Sequence, residues 1–102
     1  MPSMPSPAVS RGMRTFGEHL STWRKLRRLT AAQVAECADV SVSTVLRLEN
    51  GSGASLENVL RISRALGVMD TLLAAADPYE HDIGRLRADQ NLPTRVRPRA
   101  RP

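Results

Sequence analysis

Apolar residues recur at helical intervals through the middle of the chain and thin out at both ends. Phe16, Leu20, Trp23 and Leu26 fall on one face of a helix predicted from about Phe16 to Arg28. Arg24, Lys25, Arg27 and Arg28 crowd its last turn, where cations oppose the negative end of the helix dipole. Thr30 is a natural N-cap for a second, short helix over Ala31 to Ala38. Asp39-Val40 forms a turn, and Ser41 caps a third helix from Val42 to Glu49. Asn50-Gly51 ends that helix, since glycine readily takes the left-handed conformation a helix C-terminus needs. After a loop of Gly, Ala and Ser, Ser55 caps a fourth helix from Leu56 to Leu66. Its inward residues are predicted to be Leu56, Val59, Leu60, Ile62 and Leu66, and Gly67 stops it. A fifth helix runs from Met69 to Ala76 and ends at Asp77-Pro78.

The ends read differently. Residues 1–12 are rich in Pro and Ser and too poor in apolar side chains to pack, which predicts a disordered N-terminal tail. Residues 13–77 form the helical domain. Residues 78–102 form a basic C-terminal tail in which Pro78, Pro93, Pro98 and Pro102 exclude a long helix.

Composition agrees with an all-α class. The chain has 102 residues, enough for one small domain plus tails, and only 3% aromatics. Its core must be aliphatic, which favours packed helices over a sandwich or barrel. No apolar run approaches the roughly 20 residues that span a bilayer. The first residues lack the apolar stretch of a secretory signal. One cysteine excludes an internal disulfide framework and a Cys-rich zinc site. A cytoplasmic location is expected. Cys37 is read as an inert thiol buried near the core.

Charge is informative once it is located. The formal net charge is +5, yet residues 1–84 carry equal numbers of basic and acidic side chains. Residues 85–102 carry arginines and one acid, Asp89, and hold the whole excess. Such a tail points to a phosphate backbone or an acidic protein surface. No nucleophile with a base, Gly-rich phosphate loop or carboxylate pair is present, so neither an enzyme nor a cofactor is expected. The triplet Glu80-His81-Asp82 does not converge on one ion in helix or strand, and no metal site is expected. His19 lies on a polar face.

Two short helices joined by a tight turn, Ala31–Ala38 and Val42–Glu49, form a helix-turn-helix arrangement. The small Ala35 lets them approach closely, and Val40, Val45 and Leu48 pin the second helix to the core. Val42, Ser43, Leu46 and Arg47 are then left for a major groove. Leu46 is either buried or reads a methyl group. The alternative for this face is plain solvation.

These residues carry a resemblance to the Cro/C1-type helix-turn-helix family, also called the xenobiotic-response-element (XRE) family. It rests on Leu29-Thr30, Val34-Ala35-Glu36, Ala38, Val40-Ser41, Ser43-Thr44-Val45 and Arg47-Leu48-Glu49-Asn50-Gly51, then on Leu56-Glu57 and Arg64-Ala65-Leu66-Gly67-Val68. It covers about Phe16 to Leu73. The resemblance implies a five-helix, Cro/C1-like (lambda-repressor-like) fold and a dimeric repressor that reads a double-stranded DNA operator. It makes Val42, Ser43, Thr44 and Arg47 base-reading residues, with Arg47 suited to guanine O6 and N7 and Val42 to a thymine methyl. It makes Thr30, Gln33, Ser41 and Asn50 phosphate contacts, aided by helix N-terminal amides; Arg28, one of the departures from the family, is expected to add a cation near the phosphate backbone. It pairs Arg24 with Glu49 in an internal salt bridge. The chain departs from the family in three places: Ala31 stands where Gln is frequent, and Arg28 and Asp39 stand where glycines are common.

A lone domain of this size buries little DNA surface, so pairing of two domains roughly 34–36 Å apart is expected. Met69, Leu72 and Leu73 of the fifth helix are the expected dimer interface. In the tail, Ile83, Leu86, Leu92 and Val96 alternate with Arg85, Arg87, Arg95 and Arg97, a pattern suited to docking or adding a strand to a partner. Less specifically, the tail resembles those of antitoxins encoded beside a HipA-like kinase toxin. The simpler alternative is a nonspecific phosphate clamp.

Overall fold

The computed structural model of the chain describes residues 4–91. The elements in order are α1 (Pro7–Leu26), α2 (Ala31–Ala38), α3 (Val42–Glu49), α4 (Leu56–Leu66), α5 (Met69–Ala76), a 3-10 turn (Pro78–Glu80) and α6 (Asp82–Asn91). No strand occurs among the described residues. No helix there is long and apolar enough to cross a membrane. The chain divides between Asp70 and Thr71 into two compact units. The helices α2 to α5 have the bounds the sequence pattern predicts.

The first helix does not. It starts at Pro7, so Pro7 to Gly12 are helical rather than part of a disordered tail. The reason is local. Ser6 Oγ accepts a hydrogen bond from Val9 N at 3.2 Å, and the Ser10 amide donates to the Ser6 carbonyl. Pro7 occupies the first turn, where its missing N–H would have had no helical partner. Residues that look like disorder by composition are start signals by position.

Nine residues form the core: Leu20, Val34, Ala35, Ala38, Val45, Leu48, Ile62, Leu66 and Val68. Phe16, Leu29, Ala31, Val40, Val59 and Ala65 pack against it. Here α2 lies against α3 and α4, and α1 against α3. Gly17 makes the α1–α3 approach possible. A Cβ there would collide with the Leu48 carbonyl oxygen and sit 2.6 Å from that of Glu49.

Four residues predicted to point inward do not. Trp23 and Leu26 lie 41% and 68% exposed, because the Gly17–Leu20 side of α1 faces the core. The Arg27 guanidinium instead sits over the Trp23 ring, 5.4 Å from its centroid. Leu56 is 73% exposed at the first position of α4, one turn before Val59, the first hydrophobic residue of that helix to meet the core. Cys37 is exposed, since its neighbours Val34, Ala35 and Ala38 hold the inward face of α2. Arg28 and Asp39 both take left-handed backbone at φ 58°, the conformation that makes glycine common at such places.

In the second unit, ten helical residues fit between Pro78 and Pro93 as α6. Asp77 Oδ1 accepts from Tyr79 N at 2.9 Å and starts the 3-10 turn. Gly84 lies so near the Pro78 carbonyl that a Cβ would clash with it. His81 Nε2 donates to the Ala75 carbonyl oxygen at 2.9 Å. No residue from Thr71 to Gln90 is buried.

Two glycines of α1 give a matched test. Nothing lies within 4 Å of a Cβ built at Gly12, so Gly12→Ala should gain the roughly 0.5–1 kcal/mol of helix propensity and raise the melting temperature. Gly17→Ala should lose about 1–3 kcal/mol through overpacking against α3. Thermal unfolding of both variants reads the opposite signs.

Candidate nucleic-acid interface

The α2–turn–α3 unit is built from caps. Thr30 Oγ1 accepts from Gln33 N at 3.0 Å, and Gln33 Oε1 accepts from Thr30 N at 2.8 Å, a reciprocal capping box. After the left-handed Asp39, the Val40 amide donates to the Ala35 carbonyl at 3.0 Å and closes the turn. Ser41 Oγ then accepts from Thr44 N at 3.1 Å and starts α3. Each cap satisfies an amide that the first helical turn leaves free.

One side of α3 is locked inward by Thr44, Val45 and Leu48. Its opposite side carries Val42, Ser43, Leu46 and Arg47, all exposed. Thr44, expected among the base readers, is only 9% exposed, and its hydroxyl hydrogen-bonds to Ser41 Oγ at 2.8 Å. It sits one position away from the exposed stripe and faces the core. Leu46, which the sequence leaves between burial and the groove, is 47% exposed. Arg47 takes part in none of the ion pairs among the described residues.

The expected phosphate contacts Thr30, Gln33, Ser41, Asn50 and Arg28 are all exposed. Thr30, Gln33 and Ser41 also serve as caps, so one hydroxyl or amide fixes a helix end while facing solvent. Asn50 Oδ1 accepts from the amide and hydroxyl of Ser52, at 3.0 and 2.7 Å, which shapes the loop after α3.

Behind this face, Arg24 bridges α1 to the end of α3. Its Nε and Nη2 donate to the two Glu49 carboxylate oxygens at 2.7 and 3.0 Å, and Nη1 donates to the Leu29 carbonyl at 3.0 Å. The two side chains are 16% and 11% exposed. The hydrogen bond to Glu49 raises the Arg24 pKa above its ordinary value, despite the opposing cost of burial. This is the internal salt bridge the resemblance implies. A fork-to-fork pair fixes orientation as well as distance.

Sequence reasoning missed Arg14. Its Cγ lies 2.7 Å from where a Gly51 Cβ would be, so it runs beside the loop that follows α3. Gly51 and Gly53 have positive φ, and Met13 packs close to Gly53 in the same way. The signal that could have found it is Ser6-Pro7 as a helix start, which sets Met13 and Arg14 on α1 rather than before it.

The remaining expected residues belong elsewhere. Met69 and Leu72 are half-buried and Leu73 is exposed. Ile83, Leu86, Arg85 and Arg87 are exposed on α6, where Arg85 donates to the Tyr79 carbonyl at 2.6 Å and pairs with Asp82. Leu92, Arg95, Val96 and Arg97 lie outside the described residues.

A family model described as a helix-turn-helix domain matches residues 15–76. No curated protein and no solved structure matches the chain.

Removing one partner of the Arg24–Glu49 pair strands a charge with little solvent. Arg24→Ala should therefore cost about 2–4 kcal/mol, just under the range for fully buried pairs. Arg24→Lys, which keeps the charge but loses the fork, should cost less. Urea denaturation of the two variants measures the difference.

Proposed function

The chain belongs to the helix-turn-helix domain family, whose members bind DNA, and on that premise we propose that it is a dimeric, sequence-specific repressor of the Cro/C1 type. The observation that carries this reading is the exposed stripe Val42–Ser43–Leu46–Arg47 on a helix whose other side is held by the core. α3 enters the major groove with this stripe. Arg47 donates to guanine O6 and N7, and Ser43 reads an adjacent base edge. Thr30, Gln33, Ser41, Asn50 and Arg28 hold the phosphates on either side, and Arg14 adds a cation beside Gly51. Two copies pair through Met69, Leu72 and Leu73 and read two half-sites. Bound operator is closed to other proteins, which is repression by occlusion.

A second reading adds a protein partner. Tyr79, Ile83 and Leu86 are each at least half exposed, in a unit with no buried residue up to Gln90. Large apolar side chains left open in an ordered segment mark a docking surface. In this reading the chain is also an antitoxin that holds a HipA-like kinase through its tail. Truncation at Gly84 should then spare DNA binding and abolish a complex formed on co-expression with a neighbouring kinase-like protein.

The main test is a polarisation titration of the full chain on the DNA upstream of its own gene, at two salt concentrations. Arg47→Ala should weaken specific binding by about 1–3 kcal/mol. Arg14→Ala should weaken all sequences alike and lower the salt slope by about one. Weak, salt-labile binding that Arg47→Ala leaves unchanged would overturn the repressor reading and leave the arginine tail as the only contact.

A further inference from the structure

The helix-turn-helix match begins at residue 15, yet α1 begins at Pro7. Residues 7–14 therefore add two turns of helix ahead of the matched domain. This extension is basic. It carries Arg11 and Arg14, both exposed and three residues apart on one helix face, and the first acidic residue of the chain is Glu18. Neither arginine joins an ion pair among the described residues. The helix itself gains nothing from them. No acid stands in its first turn, and cations toward a helix N-terminus add to the positive end of the dipole.

The extension is seated beside the loop that follows α3. At Gly51, with φ 89°, a Cβ would lie 2.7 Å from Arg14 Cγ and 3.0 Å from its Cα. At Gly53, with φ 97°, one would lie 2.9 Å from Met13 Cε. The two glycines permit this approach, and Met13 is half-buried in it. The loop, residues 50–55, holds no charged side chain. The cations beside it come from α1 instead.

We propose that residues 7–14 form a phosphate clamp, in which Arg11 and Arg14 hold two phosphates of one DNA strand beyond the base pairs that α3 reads. This rests on α3 entering the major groove. With α3 there, its ends approach the phosphate strands that border the groove. The small, uncharged loop lets the strand come close but offers it no counter-charge. The extension supplies that charge. Both arginines stand on a helix already formed, so no backbone has to be ordered on binding. Their contribution is independent of base sequence: they raise affinity for every duplex, while Arg47 decides which duplex is preferred.

The experiment uses the full chain and a duplex enriched from a random-sequence pool. Arg11→Gln, Arg14→Gln and the double variant remove the charges and keep good helix formers, and circular dichroism checks that they fold. Between about 50 and about 200 mM salt, the wild type should lose about tenfold more affinity than the double variant, since each lost phosphate contact flattens the salt slope by about 0.9. Replacing single phosphates by neutral methylphosphonates should weaken wild-type binding at two positions of one strand in each half-site. Arg11→Gln should become insensitive at one of them and Arg14→Gln at the other. The preferred base sequence should stay the same in all variants. An unchanged salt slope in the double variant, or methylphosphonate effects that persist in both single variants, would overturn the clamp while leaving DNA reading by α3 intact. If no sequence is enriched at all, the DNA reading itself fails and the proposal goes with it.

Discussion

Burial of Thr44, Val45 and Leu48 along one side of α3 decides what its other side can do. A helix of eight residues has too little intrinsic stability to hold a face outward alone. It is positioned because α1, α2 and α4 pack against it. At Gly17 the absence of a side chain lets α1 rest on the Leu48 and Glu49 carbonyls. The Arg24–Glu49 fork then fixes the angle at which the two helices meet. Core and ion pair act on the same turn of α3. One supplies the attraction, the other the orientation.

The caps couple this framework to the surface. Thr30 and Ser41 start their helices by accepting amide hydrogen bonds, and both remain exposed. Residues that fix the local fold therefore also face the region where phosphates would lie. The same economy holds at the turn, where Asp39 adopts left-handed backbone without glycine. An aspartate tolerates that conformation better than most side chains, so the turn forms without glycine there. Arg28 gains no such relief, and its left-handed backbone is a local strain held by the hydrogen bonds on either side of it, from its own amide to the Lys25 carbonyl and from the Leu29 amide to the Arg24 carbonyl.

The sequence made α2 to α4 legible because each has a cap, a stop and a periodic apolar face, and α5 because Gly67 precedes it and Asp77-Pro78 ends it. The Arg24–Glu49 pair was legible only through resemblance, as residues 25 positions apart carry no local signal. Burial within the interface was less legible. Thr44 lies between Ser43 and Val45, and its small polar side chain suits either face; only the packed helix shows that it turns inward. Trp23, Leu26 and Cys37 are apolar by type yet exposed, because only one narrow side of α1 and of α2 meets the core, so apolar type alone does not give burial. The start of α1 was hidden by composition. Proline and serine count toward disorder in a tally and toward a helix start in sequence order.

DNA contact by α3 and its flanking caps is the proposal on which the functional reading stands. It is tested most directly by following the backbone amide resonances of the full chain as duplex DNA, enriched from a random-sequence pool, is added. Shifts should concentrate at Val42, Ser43, Leu46 and Arg47, at the starts of α2 and α3, and in the loop from Asn50 to Ser52. Shifts confined to residues 85–102, with α3 unmoved, would contradict it.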